Sequence, residues 1–338
     1  MFYLARWARS CKLCAMHLLG IDIGGTKTSI CVGSERGEIQ VSRRIPTGTP
    51  DGPDRCMERI IALAREVLRE TNLPLEQIAG IGLSSPGPVS LQKQVMLEPP
   101  NMKGWVNVPV VKTVSDALGR PVFMNNDANA CALAEYLFGS HKGSNNLVYL
   151  TMSTGLGAGF VVNGEVVQGA TDLGGEVGHH VLDRNGPPCP CGQRGCWELF
   201  CGGMNVANRL RERIRMDGIR TAILDQAGGD LDRIDFKAFT EAVRLHDPFA
   251  LEEWEEYTDR LAQGVGTVIQ FMNPEVIIMG TIAIHAGDLL MGPLSAKLPK
   301  YAWRYGREAC RIVPSALGSH IGDLSAIALA VHGLSSHQ

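Results

Sequence analysis

The sequence predicts an α/β protein built as two lobes, and three observations lead there. Short apolar runs of strand character alternate with stretches of helical periodicity along the chain. A strand–glycine–strand unit at residues 17–33 is followed, about 130 residues later, by a second of the same design at residues 147–162. The chain has 338 residues, enough for two cores.

Composition narrows the function classes. Hydrophobic residues make up 45% and charged residues 20%, the balance of an ordinary globular protein. A formal net charge of -3 gives no electrostatic reason to expect nucleic acid as a partner. No apolar run is long enough to span a bilayer, so no membrane partner is expected. The 10 cysteines are scattered and no secretory signal stands out, which predicts a reducing cytoplasm. Residues 1–16, MFYLARWARSCKLCAM, fit neither lobe and are expected to be a disordered or mis-assigned leader.

In the first unit, an apolar strand ends at Asp22, Gly24-Gly25-Thr26-Lys27 turns, and Ile30-Cys31-Val32 leads out. A plain hairpin reads this way. So does a phosphate site, with Asp22 holding Mg2+ directly or through water, bare amides for phosphate oxygens and Lys27 nearby. The turn matches neither the Walker A pattern nor G-x-G-x-x-G. Residues 54–70 carry helical spacing, Ile60, Ile61, Ala64, Val67 and Leu68 forming the packing face. A short strand at 78–83 runs into Ser84-Ser85-Pro86-Gly87, and another at 121–124 ends in Asn125-Asn126-Asp127 before a helix. Asp127 suits two roles there, a helix cap or a base at the mouth of a cleft.

The second glycine turn, Ser153-Thr154-Gly155-Leu156-Gly157, repeats the first, and two such loops facing each other would clamp the phosphates of one nucleotide. The next stretch, residues 174–203, holds Cys189, Cys191 and Cys196 in a C-x-C-x4-C array just after His179 and His180. Three thiolates and an imidazole suit a structural Zn2+, and the intervening glycines let the chain turn sharply. Buried or disulfide-bonded cysteines are the plainer alternative. Glu176 and Glu198 bracket the array, either as solvated loop acids or, with His179, as groups presented to a polar ligand. Helices are expected at 205–216, 236–245, 248–271 and 322–331, with a buried strand at 276–279 ahead of Gly280.

Taken together, DIGGTK at 22–27, SPGPV at 85–89, NNDAN at 125–129, TGLG at 154–157, and EVGHH with CPCGQRGCWE make the chain resemble the ROK family (repressor, open reading frame, kinase), closest to its bacterial glucokinases. The resemblance covers residues 18–331. It implies a two-lobed actin-like ATPase (ribonuclease H-like) fold with an inserted zinc-binding loop at 176–198. The lobes would be 17–125 with 320–338, and 126–319. It implies an ATP- and Mg2+-dependent hexose kinase acting on the 6-hydroxyl of glucose, with Asp127 as base. Sugar contacts would map onto Gly87, Asn101, Asn126, Asp127, Glu176, His179 and Glu198. The nucleotide and its Mg2+ would lie on Asp22, Gly24, Gly25, Thr26, Lys27, Thr154, Gly155 and Gly157, with adenosine near Gly280. The zinc ligands become His179, Cys189, Cys191 and Cys196, leaving His180 spare. The resemblance further implies a homodimer or homotetramer.

Two positions depart from the family pattern. Ser153 and Thr281 stand where glycines are usual, and a Cβ there would crowd a phosphate or the adenosine if the backbone needed positive φ or close approach. Other substrates within the family are N-acetylmannosamine, N-acetylglucosamine and fructose. Outside catalysis, the alternatives are a sugar-binding regulator without turnover and a DNA-binding repressor. The repressor is disfavoured by the negative charge and by the 16 residues ahead of His17, too few for a helix-turn-helix.

Overall fold

Residues 16–336 are described in a computed structural model. The expected leader therefore lies, but for Met16, outside the described residues. The chain divides into two compact units, one running to Ala130 and resuming at His320, the other spanning Cys131–Ser319. Residues 126–130, expected with the second lobe, group with the first. The strand that delivers them pairs with its neighbour up to Asn126, and Asn126 and Asn129 are hydrogen-bonded to each other.

In the first unit, β1 (His17–Ile23), β2 (Lys27–Ser34), β3 (Ile39–Pro46), β4 (Ile78–Ser85) and β5 (Val122–Asn126) form one sheet in the order β3-β2-β1-β4-β5. β1, β2 and β3 are an antiparallel meander, whereas β4 and β5 run parallel to β1. α1 (Pro53–Glu70) and α2 (Val110–Leu118) pack with Trp105 on one face, their apolar stripe closing a core that contains Leu19, Ile21, Ile60, Val67 and Ile81. The C-terminal helix, Ile321–Ser336, lies along β1 and β4. That approach is close: a Cβ on Gly82 would sit 1.7 Å from the carbonyl oxygen of Ala326, so only glycine fits. Burial on both faces is why β1 and β4 read as continuous apolar runs.

The second unit begins inside α3 (Asp127–Phe138). Its sheet comprises β6 (Leu147–Met152), β7 (Leu156–Val162), β8 (Glu165–Val166), β9 (Val276–Met279) and β10 (Arg311–Pro314), ordered β8-β7-β6-β9-β10. This is the strand order of the first unit, again an antiparallel meander followed by two parallel strands. The repeated design read from the glycine turns is therefore a repeated sheet topology. The short helix α4 (Trp197–Cys201) leads into α5 (Gly203–Asp217), and α6 (Phe236–Arg244), α7 (Pro248–Met272) and α8 (Thr281–Ala286) follow. Their core is aromatic, with Trp197, Phe239 and Tyr257 buried and Trp254 stacked on Tyr257 at 5.2 Å. Gly264 lets α7 seat on the Trp197 indole, where a Cβ would come within 2.1 Å.

Most expected elements are present within a few residues. The helix expected after Asp127 starts at Asp127 itself, and the one expected at 322–331 runs from Ile321 to Ser336. β3 and β10 were missed because both are edge strands whose residues are largely half-exposed or exposed, so no apolar run marks them.

Candidate active site

In the first unit the parallel strands β1, β4 and β5 end at one edge, the position where open α/β sheets present functional groups. The register carries Asp22 beside Ser84, and Ser85 beside Asn126. β1 then gives way to the first glycine turn, whose carbonyls are tied back. Thr47 donates its hydroxyl to Gly24 O at 2.6 Å and its amide to Thr26 O at 2.9 Å. Gly24 N is used within the turn, donating to Lys27 O at 2.9 Å. Among the described hydrogen bonds the amides of Gly25 and Thr26 have no acceptor, so they remain donors for an anion. Asn101 packs on this turn, 3.4 Å from where a Gly25 Cβ would be. Gly87 follows β4 by two residues.

Asp127 is exposed at the first position of α3. The capping role open to it in the sequence belongs to its neighbour: Asn126 Oδ1 accepts the amide of Asn129 at 2.8 Å. Asn125 Oδ1 in turn takes the Asn126 amide at 2.8 Å and the Asn129 side chain at 3.2 Å. Asp127 is thus held by a braced asparagine frame without being the cap.

Asp22 is half-buried, and burial pushes its carboxyl up to about 7. A hydrogen bond from Ser84 and the charge of Arg44 lower it, while Asp127 and Asp323 raise it further. Asp323 and Arg44 were not singled out from the sequence. Asp323, in the first turn of the C-terminal helix, reads there as a dipole-complementing acid. It is instead 2% exposed, accepts a hydrogen bond from Ser29 and faces Arg44 at 4.0 Å. Gly322 also touches the site, since a Cβ on it would lie 2.6 Å from Asp22 Oδ2. Three acids sharing one neighbourhood are the donor set a hard dication takes.

In the second unit the other glycine turn is tied back in the same manner. Gly203 N donates to Ser153 O and Met204 N to Thr154 O, each at 2.9 Å. The amides of Thr154 and Gly155 have no acceptor among the described hydrogen bonds. Gly157 is the second residue of β7, where a Cβ would meet Thr151 at 3.3 Å. Beyond the turn lies a cavity of about 580 Å³ whose walls include Ser153, Thr154, Met204, Lys237, Thr281 and His285. Neither Ser153 nor Thr281 has positive φ, so their side chains are carried without backbone strain. Gly280 itself is backed against Tyr149, whose hydroxyl would be 2.7 Å from a Cβ, and its neighbour Thr281 forms the wall.

The cysteine loop draws together His179, Cys189, Cys191 and Cys196, with ligand atoms all within 4.8 Å of one another. Cys191 Sγ and Cys196 Sγ are 3.6 Å apart, and Cys189 Sγ is 3.7 Å from His179 Nδ1. A tetrahedron of thiolates around zinc has edges of about 3.8 Å, so the set fits. Gly192 and Gly195 make the turns at φ 92 and 66. Burial first, then the neighbouring sulfurs, push the Cys196 thiol up to about 12, a balance that a dication among the sulfurs reverses. His180 stays outside, its Nδ1 2.9 Å from Val177 O and its ring edge-on to Trp197.

Glu176, His179 and Glu198 come together beside the knot. Partial burial raises the Glu176 carboxyl, the nearby His179 lowers it and Glu198 raises it. Glu198 also reaches the glycine turn, its Oε2 accepting the Leu156 amide at 3.0 Å.

Two units of one topology, each with an anion-receptive glycine turn and its own acids, define a phosphate-handling α/β protein. The chain belongs to the ROK family, whose model matches residues 18–332. It is 32% identical over 314 residues to a glucokinase from Thermotoga maritima, covering 93% of this chain and 97% of that one. The crystal structure of a ROK glucokinase from Streptomyces griseus, in complex with glucose and AMPPNP, superposes with a TM-score of 0.79 at 27% identity, over 94% of this chain and all of that one. A putative xylose repressor from Caldicellulosiruptor sp. is 26% identical over 314 residues, 93% of this chain and 78% of the repressor.

The raised Asp22 carboxyl has a direct consequence for stability. Its folded pKa lies above the unfolded value of 3.8, so the associated stability is complete below that value and is lost as pH rises through about 7. In metal-free protein, Asp22→Asn is expected to melt near the wild-type temperature only below about pH 4, the gap opening as pH rises from there. By pH 8 it should be more stable, by up to about 4 kcal/mol. Differential scanning calorimetry across that range tests this, and a pH-independent gap contradicts it.

Proposed function

We propose that this chain is an ATP-dependent hexose kinase that phosphorylates the 6-hydroxyl of glucose. The observation that carries the reading is Asp127, exposed at the carboxyl end of β5 with its capping duty carried by Asn126. Its carboxylate is the base. It takes the proton of the sugar O6 as that oxygen bonds to the γ-phosphorus of ATP and the bond from that phosphorus to the bridging oxygen breaks, releasing ADP. Asp22 would hold Mg2+ directly or through water, and the ion would supply neutralisation of phosphate charge. The amides of Gly25, Thr26, Thr154 and Gly155 and the side chain of Lys27 hold the phosphates, which leaves most of the rate to positioning.

Gly87, Asn101, Asn126, Glu176, His179 and Glu198 pair with the sugar hydroxyls. A sugar lacking one of those hydroxyls leaves a polar group unpaired and is rejected. The cavity beside Ser153 and Thr281 takes the adenosine. The cysteine knot would hold a structural Zn2+, with His179 offering Nδ1 to the metal and its other ring nitrogen to the sugar. We assign the two matching sheets to the actin-like ATPase (ribonuclease H-like) fold, on the strength of their common strand order. The same reading makes the protein a cytoplasmic homodimer or homotetramer that binds sugar and ATP, not nucleic acid. No helix among the described residues is long and apolar enough to cross a membrane.

Asp127→Asn is expected to bind glucose as wild type does while turnover falls by about 10²–10⁴-fold. Calorimetry alongside a steady-state assay checks both halves, and near-normal turnover removes Asp127 from its role. Cys191→Ser is expected to lose zinc and melt at lower temperature. Elemental analysis of wild type purified without chelators decides the matter, because a zinc-free wild type undoes the assignment.

A further inference from the structure

We propose that Glu198 is a positioning residue for the phosphate-binding turn as well as a sugar ligand, so that the cysteine knot sets nucleotide affinity. The inference rests on the kinase reading and concerns how the second glycine turn keeps its shape. Glu198 is the second residue of α4, directly after the ligand Cys196. Its Oε2 accepts the Leu156 amide at 3.0 Å. The turn has been shaped around that carboxylate, since a Cβ on Gly155 would lie 2.6 Å from the same oxygen. Gly155 lacks positive φ, so the reason for glycine here is space.

Two further contacts make the knot and the turn one piece. A Cβ on Gly178, between Glu176 and His179, would lie 2.1 Å from Leu156 O. After α4, Gly203 and Met204 donate to the carbonyls of Ser153 and Thr154. With Leu156 N–H held by Glu198 and the Ser153 and Thr154 carbonyls held by α5, the free amides of the turn are those of Thr154 and Gly155. Glu198 thus fixes the donor set without touching the nucleotide. Its second oxygen, with no hydrogen bond among the described residues, is the one available to a sugar hydroxyl. One carboxylate then serves both substrates.

The discriminating readout is nucleotide binding in the absence of sugar. A residue that only contacts sugar leaves it unchanged; a residue that holds the turn does not. MgADP binding would be measured by calorimetry on zinc-replete wild type, Glu198→Gln, Glu198→Asp and Glu198→Ala. Glutamine keeps an oxygen for the Leu156 amide, so Glu198→Gln should bind MgADP like wild type while its KM for glucose rises. Alanine has no acceptor, and aspartate keeps the charge but is too short to reach. Both should bind MgADP about tenfold more weakly, equivalent to about 1.4 kcal/mol. The aspartate variant serves if the alanine variant does not fold. MgADP affinity equal to wild type in Glu198→Ala or Glu198→Asp overturns the inference, and so does a Glu198→Gln as weak as Glu198→Ala. A wild type that binds no MgADP and phosphorylates no sugar overturns the kinase reading, and this inference with it.

Discussion

Both glycine turns are held by their carbonyls. A turn between two strands ordinarily spends its polar groups internally, and an exposed loop with idle amides is floppy and entropically costly to order around a ligand. Here Thr47 fixes the first turn and the start of α5 fixes the second, each by accepting responsibility for two carbonyl oxygens. The amides left over are held in place by that bracing and would be oriented before a phosphate bound. Rigid scaffolding behind an apparently bare loop is the physical condition for the rest of the site.

That scaffolding explains why a cysteine knot lies beside a phosphate turn. The stretch between β8 and α4 has few buried apolar residues and many glycines and prolines, so it lacks a core of its own. Four ligands around a dication would supply the missing cohesion. Once fixed, the knot delivers His179 and Glu198 with little freedom and holds α4 where its Trp197 indole packs on Gly264 of α7. A similar division of labour operates at Asp127, where the asparagines do the structural work and the aspartate is left at the edge of the sheet.

Much of this was legible in the sequence because the signals were local. Glycine turns between apolar strands, the cysteine spacing and the Asn125-Asn126-Asp127 junction each lie within a short stretch. What was not legible depends on residues far apart. Asp323 is 301 positions from Asp22, and its effect on that carboxyl follows from the C-terminal helix lying along β1. Glu198 and Leu156 are separated by 42 residues, so nothing in either segment announces their bond. Ser153 and Thr281 posed the opposite problem. They depart from the family's glycines, yet the backbone at both positions is one that any residue adopts.

The central claim is that these groups transfer a phosphoryl group to a sugar. It is tested most directly by following ADP release from ATP and Mg2+ with a panel of hexoses and N-acetylhexosamines. The account predicts turnover with glucose, with the phosphate on the 6-hydroxyl. No ADP release with any sugar, while calorimetry still registers sugar binding, would contradict it and make the protein a sugar-responsive regulator without turnover.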